Sequence, residues 1–378
     1  MKGDVVLRII ALMLPGAVRA RYLEEWRADS LAAADAGLRR RDIARGAAAL
    51  TLTIDRDLPA HTMEPRGAVP RRFTRRGLGL FAAAAVVLTG AWLTNGGIVP
   101  EGRDVSPQAL VTLSAVAWIS FRLAILAVLV GVLYFGRAAI MARSTLARIA
   151  TAAAVTGPVT IALAVTFDAH RTVMLAGILL SAFGFLVGLV VVTGPSPISL
   201  ERRVASRSKR IPVALLGVAA VGMVIVIGAV DLLVWNPQSK VPALSFDAIY
   251  ARMIEVDQFS PSTAIVGVTL WAAFWGGLAV TVFILAARRS QMWMTPRRVS
   301  MLLLSIIGGA VFFRFFAGFS IGMSIADTFG TNGASTSIAS AVLPYVGQLA
   351  LATAAILSGW APKIRNADTP EAGDVAVA

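Results

Sequence analysis

Residues 201–235 read ERRVASRSKRIPVALLGVAAVGMVIVIGAVDLLVW. Five basic residues, Arg202, Arg203, Arg207, Lys209 and Arg210, stand directly before a 25-residue run whose one charge is Asp231. At helical rise that run is about 37 Å long, enough to cross a hydrocarbon core of ~30 Å. Its length and positive flank mark a spanning helix that starts at the cytoplasmic face.

Seven further runs of spanning length follow the same pattern: 77–96, 109–135, 147–167, 172–194, 263–287, 299–322 and 338–360. The first and third are rich in alanine rather than leucine. Composition agrees with a chain whose solvent is largely lipid. Hydrophobic residues make up 57% and charged residues 15%, with a mean hydropathy of +0.75. Soluble chains carry about 25% charged residues. The expected fold is therefore all-α, a polytopic transmembrane helix bundle of about eight spans.

The placement of charge sets the orientation. Of the 35 Lys and Arg residues, 29 fall on one side of this map. Four, Arg103, Arg171, Lys240 and Arg252, fall on the other, and Arg122 and Arg314 lie within spans. Basic residues collect in cytoplasmic loops, so both termini are read as cytoplasmic. If 147–167 did not cross, the basic loops at 137–148 and 202–210 would face opposite sides. The net charge of +14 then needs no nucleic acid. The basic loops at 71–76 and 202–210 are expected to attract anionic lipid at ~1 kcal/mol per residue close to the surface.

The first 76 residues differ in kind. Val5–Leu14 is a short apolar stretch interrupted by Arg8 and stopped by Pro15, too broken for a signal peptide. It reads as an amphipathic helix lying at the membrane or against a partner. In AVRARYLEEWRADSLAAADA (17–36), Val18, Tyr22 and Trp26 recur at i+4, and Gly37 offers a stop. A second helix at 38–50 sets Leu38, Ile43, Ala47 and Leu50 opposite Arg39, Arg40 and Arg41. Residues 1–54 are thus expected to hold that helix and a helical hairpin. Residues 55–76 form a linker rich in Pro and Arg, 77–360 the bundle, and 361–378 a disordered tail. The RYLEEWRAD stretch, the glycine turn and the alanine-rich second helix resemble the short helical prefix that precedes the spans of some bacterial permease-like membrane proteins. The resemblance covers roughly 15–57 and implies a cytoplasmic interaction module, with a protein partner expected through 17–50. It carries no catalytic residues.

Motif chemistry is sparse. The chain has no cysteine, which removes thiolate metal sites and cysteine nucleophiles, and only His61 and His170 as histidines. No HExxH, Walker A loop, GxSxG elbow or dinucleotide fingerprint occurs. No catalytic residue, metal or cofactor is implied. The informative residues are polar groups at membrane depth. Arg122 lies midway in its span, Arg314 in the outer half of its own, and Asp231 about one turn from an outer end. Asp231 and Arg314 differ in depth by only a few ångströms and are the expected ion pair. Such charges form structural pairs, contact ligand or snorkel to headgroups. Gln348 either bonds across helices or lines a cavity. Gly157-Pro158, Gly308-Gly309 and Pro344 mark candidate helix breaks, the feature at which transporters place their sites; simple kinks or close packing are the alternative. Gly184-xxx-Gly188 permits close helix approach. Residues 236–262 read as the one sizeable exterior loop, with Ser245 capping a short helix through Gln258.

Three function classes follow: a non-enzymatic regulator or accessory protein, a transporter or permease-like component, and, least favoured, a membrane enzyme using Asp168, His170 and the acidic exterior loop. A cavity lined by both intramembrane arginines would mark transport. A dry, packed bundle would mark the regulator.

Overall fold

The computed structural model describes residues 2–14, 16–33, 35, 37–54, 67–93, 107–141, 145–166, 171–193, 207–288, 294–332 and 335–360. Every regular element among them is helical. In chain order these are α1 (Lys2–Leu12), α2 (Gly16–Ala32), α3 (Arg40–Thr53), α4 (Ala68–Leu93), α5 (Pro107–Met141), α6 (Thr145–Thr166), α7 (Arg171–Thr193) and α8 (Arg207–Val230). Helix α8 continues through a π turn, Asp231–Trp235, into Asn236–Lys240. Then come α9 (Phe246–Asp257), α10 (Pro261–Ala287), α11 (Pro296–Ala317), α12 (Phe319–Phe329) and α13 (Ile338–Gly359).

A helix lies on each of the eight apolar runs. Five described segments are long and apolar enough to cross a membrane: Ser114–Ala138, Ser208–Lys240, Pro261–Ala287, Pro296–Phe329 and Ile338–Gly359. The described apolar parts of α6 and α7 are shorter, Ala152–Ile161 and Leu175–Gly188. Helix α4 begins at Ala68, inside the stretch read as linker. Pro70 sits in its first turn, where a missing N–H costs nothing, so the proline starts the helix rather than breaking it. The rest of the expected linker and the tail at 361–378 lie outside the described residues.

The chain forms two compact units. The first draws on residues 1–77 and 132–201. Its N-terminal part is a module of three helices, the short helix α1 and the α2–α3 hairpin: α1 supplies Leu7, Ala11 and Leu14 to a core shared with Trp26 and Ala47. Arg19 closes the end of α1, donating hydrogen bonds to the carbonyls of Ala11 (3.1 Å), Leu12 (3.1 Å) and Leu14 (3.2 Å). Gly37 takes the left-handed conformation, φ 66°, in the turn before α3. Elsewhere in this unit α6 and α7 pack through small residues. A Cβ at Gly157 would fall 2.8 Å from the Gly177 carbonyl oxygen, and one at Gly184 would meet the backbone of Ala154. Close backbone approach of this kind is how apolar helices associate where no hydrophobic effect drives them together.

The second unit draws on residues 78–131 and 202–360. Its centre is α8, α10, α11 and α13, packed through Val221, Val224, Ala279, Leu303, Ile306, Leu343 and Ala350. Helices α4 and α5 join α13 through Ala83, Ala84, Val87, Ala124 and Ala352. The outward faces are strongly apolar: Leu216 is 75% exposed, and Met223, Leu270 and Phe315 each 65%. A water-soluble surface does not carry so many large apolar side chains side by side.

Candidate functional site

Where α8 reaches Asp231 its winding changes. The Asn236 N–H bonds to the Asp231 carbonyl five residues back, widening one turn into a π turn, a feature often found at functional positions. Asp231 is completely buried, with Arg314 of α11 at 7% exposure and Ser337 at 5%. Arg314 donates through Nη2 to Asp231 Oδ2, and Ser337 donates through Oγ to Oδ1. Both carboxylate oxygens are therefore engaged. Ser337 is also the N-cap of α13, its Oγ accepting from the Ser340 N–H at 3.1 Å, so the carboxylate sits where the helix dipole favours negative charge. One acid thus ties together α8, α11 and α13.

The surroundings fit this tie. Gly228, one turn before Asp231, leaves room for the Arg314 stem: a Cβ there would lie 3.2 Å from Arg314 Cδ and 2.9 Å from the Trp271 ring. Trp271 is buried and donates to the Ala310 carbonyl at 3.0 Å. Beyond the π turn, Asn236 Oδ1 accepts from the Thr336 N–H at 3.0 Å, and Lys240 donates to Asn332 Oδ1 at 2.6 Å and to its carbonyl at 2.8 Å. These bonds fasten the end of α8 to the segment that enters α13.

Helix α9 covers the same end of the unit. Ser245 caps it, accepting from the Ala248 N–H, and Gln258 ends it at φ 52°. Ile249 and Met253 are fully buried against Leu232, Phe259, Ile321 and Ile325. Helix α12, Phe319–Phe329, therefore adds a second segment to an end that the sequence reading gave to 236–262 alone. Tyr250 donates its hydroxyl to the Leu233 carbonyl in the π turn at 2.8 Å, satisfying a group that the altered winding displaces. Burial pushes the Tyr250 phenol up from 10.0 to about 12. The neutral phenol is the favoured form, so its contribution to stability is complete below pH ~10 and is lost as pH rises towards ~12. Tyrosinate absorbance at 295 nm should titrate with a late component that shrinks by one tyrosine in Tyr250→Phe. A late component of unchanged size after the substitution would contradict a buried Tyr250 phenol.

The other sequence candidates lie apart from this cluster. Arg122 is exposed on α5, its guanidinium carbon 3.4 Å from the centroid of the Trp118 ring one turn away, a cation–π contact. Gln348 is half-buried and packs on Gly90 of α4, where a Cβ would lie 2.6 Å from Gln348 Cγ. Helix α6 runs unbroken through Gly157 and Pro158, α11 through Gly308 and Gly309, and α13 through Pro344. Spanning helices tolerate proline where neighbours satisfy the freed carbonyl, and these glycines serve packing: Gly308 faces Leu351 and Gly309 faces Trp275. Among the described residues, the π turn lies at Asp231 instead. Asp168 and His170 are outside the described residues. Among the described residues, no three His, Asp or Glu side chains gather as a metal site would require. Ser337 and Asn236 escaped the sequence reading, although Ser337 directly before an apolar run carries the usual N-cap signal. No family model, curated protein or solved structure matches the chain, so its functional reading rests on the residues themselves.

Proposed function

We propose that this chain is an eight-span protein of a bacterial cytoplasmic membrane, with both termini in the cytoplasm. In this reading it acts as a non-enzymatic regulatory or accessory protein, and residues 17–50 of its N-terminal module engage a cytoplasmic protein partner. The observation that carries the reading is the state of the intramembrane charges. Asp231 is sealed, with both oxygens taken by Arg314 and Ser337. Arg122 faces outward on another helix. The two arginines thus line no common cavity, and the acid serves as a joint between helices rather than a station on a substrate path. The N-terminal module, by contrast, has its own core and a charged outer face with an exposed Arg21–Glu25 pair.

Removing residues 1–60 tests the reading. The truncated chain should still insert, elute as a single species in detergent and melt within a few degrees of the full chain. It should also fail to restore whatever phenotype loss of the full chain produces. Collapse of the bundle would make the module structural, and full rescue would locate function in the bundle.

A further inference from the structure

Helix α1 is apolar on two opposite faces. Leu7, Ala11 and Leu14 are 1–3% exposed and fill the core of the module. On the other side Val5 (55%), Val6 (46%), Ile9 (59%), Leu12 (64%) and Met13 (53%) stand clear of it. A helix at the surface of a water-soluble bundle carries polar residues there. Five large apolar side chains on one exposed arc call for an apolar environment.

We infer that this outer face of α1 docks the module onto the cytoplasmic surface of the membrane, with Val5, Ile9, Leu12 and Met13 inserted among the upper acyl-chain segments. Two features select lipid as the occupant. The first is the tether. The module ends at Thr53, and α4 begins at Ala68 with Arg71, Arg72, Arg75 and Arg76 in its opening turns, the residues that mark the bilayer boundary. Fourteen intervening residues, 54–67, reach at most about 50 Å when fully extended, so the module never leaves the neighbourhood of the membrane. Tethering raises the effective concentration of the surface and makes even a weak partition sufficient. The second is charge. Residues 1–54 hold nine Lys and Arg against six Asp and Glu, and α1 itself carries Lys2 and Arg8 against Asp4, the balance that an anionic surface attracts. Insertion 5–10 Å below the headgroups suits a helix of this length lying flat. The inference rests on the cytoplasmic placement of the module.

The chain has no cysteine, so single labels are unambiguous. Full-length protein in nanodiscs containing phosphatidylglycerol is labelled with a nitrobenzoxadiazole probe at Ile9→Cys, Leu12→Cys or, as the control, Leu31→Cys, a position 76% exposed on α2. Nitroxide lipids labelled near the headgroup should quench the Ile9 and Leu12 probes by about half or more and leave the Leu31 probe unchanged. Adding Val5→Asp, which leaves the Leu7–Ala11–Leu14 face intact, should abolish the quenching. Water-like, unquenched emission at Ile9 and Leu12 would overturn the proposal. Blue-shifted emission without quenching would also overturn it, in favour of a protein surface covering α1. Failure of the underlying placement is read separately: labelling of Leu31→Cys by an impermeant maleimide in intact cells would put the module outside, whatever the quenching shows.

Discussion

Asp231→Leu should cost the folded bundle about 3–5 kcal/mol, and adding Arg314→Leu should restore part of that loss. The two substitutions are not equivalent. Removing the carboxylate leaves a guanidinium, 7% exposed, without its counter-charge, and at the same time strips Ser337 of its acceptor. Removing the guanidinium leaves a carboxylate that still accepts from Ser337 at the N-terminus of α13. Arg314→Leu should therefore be the milder single change, and the double variant more stable than Asp231→Leu alone. Ser337→Ala should cost about 1–2 kcal/mol, through loss of the cap and of one charge-assisted bond. Thermal unfolding in detergent across these four variants reads the coupling. Losses that simply add would mean that the pair does not interact. Arg122→Leu is the control: its guanidinium lies over the Trp118 ring, and its removal should shift the midpoint little.

Gly184→Leu should prevent α6 and α7 from packing, and Gly184→Ala alone should lower the melting point measurably. A Cβ at Gly184 would lie 2.6 Å from Ala154 Cα, and the obstacle is backbone, which cannot rotate away. Gly157 is equally confined, its Cβ position 2.5 Å from the Ser181 nitrogen. Relief would require the two helices to move apart along their contact, with loss of the dispersion that holds them. Gly222 of α8 supplies the contrast, because a Cβ there meets nothing within 4 Å. Gly222→Ala should be neutral or stabilising by up to ~1 kcal/mol, through helix propensity alone. A Gly184→Ala protein as stable as wild type would show that α6 and α7 meet through another face.

Helix positions were legible because apolar length is a one-dimensional property: each of the eight runs carries a helix, from α4 to α13. Depth is equally simple, since rise per residue is constant, and that is why Asp231 and Arg314 could be matched across 83 residues of chain. Their third partner was not legible. Ser337 reaches Asp231 only because α13 starts where α8 changes its winding, and a π turn leaves no mark in hydropathy. Glycine and proline were ambiguous in a related way. Gly157, Gly308 and Gly309 have the composition of helix breaks, yet each is where a neighbour comes close. A missing side chain serves either purpose, and only the neighbour distinguishes them. The N-terminal region shows the same limit. Leu7, Ala11 and Leu14 can be read as one face of an amphipathic helix, but that they complete the hairpin's core depends on α1 packing against α2 and α3. Arg122 has the composition of an intramembrane charge that needs a partner, and which way α5 turns it is decided by packing of Ala124 against Ala83 and Ala84.

The assignment of sides after residue 145 turns on whether α6 and α7 each cross the membrane. Their described apolar parts, Ala152–Ile161 and Leu175–Gly188, are shorter than the five segments long enough to span. The direct measurement is single-cysteine labelling at Ala169 and Ala205 in intact cells, with a maleimide that does not cross membranes. Ala169→Cys should react from outside, and Ala205→Cys, among the basic residues at 202–210, only after the cells are permeabilised. Reaction of Ala205→Cys in intact cells, or protection of Ala169→Cys until permeabilisation, would contradict the eight-span arrangement with both termini inside.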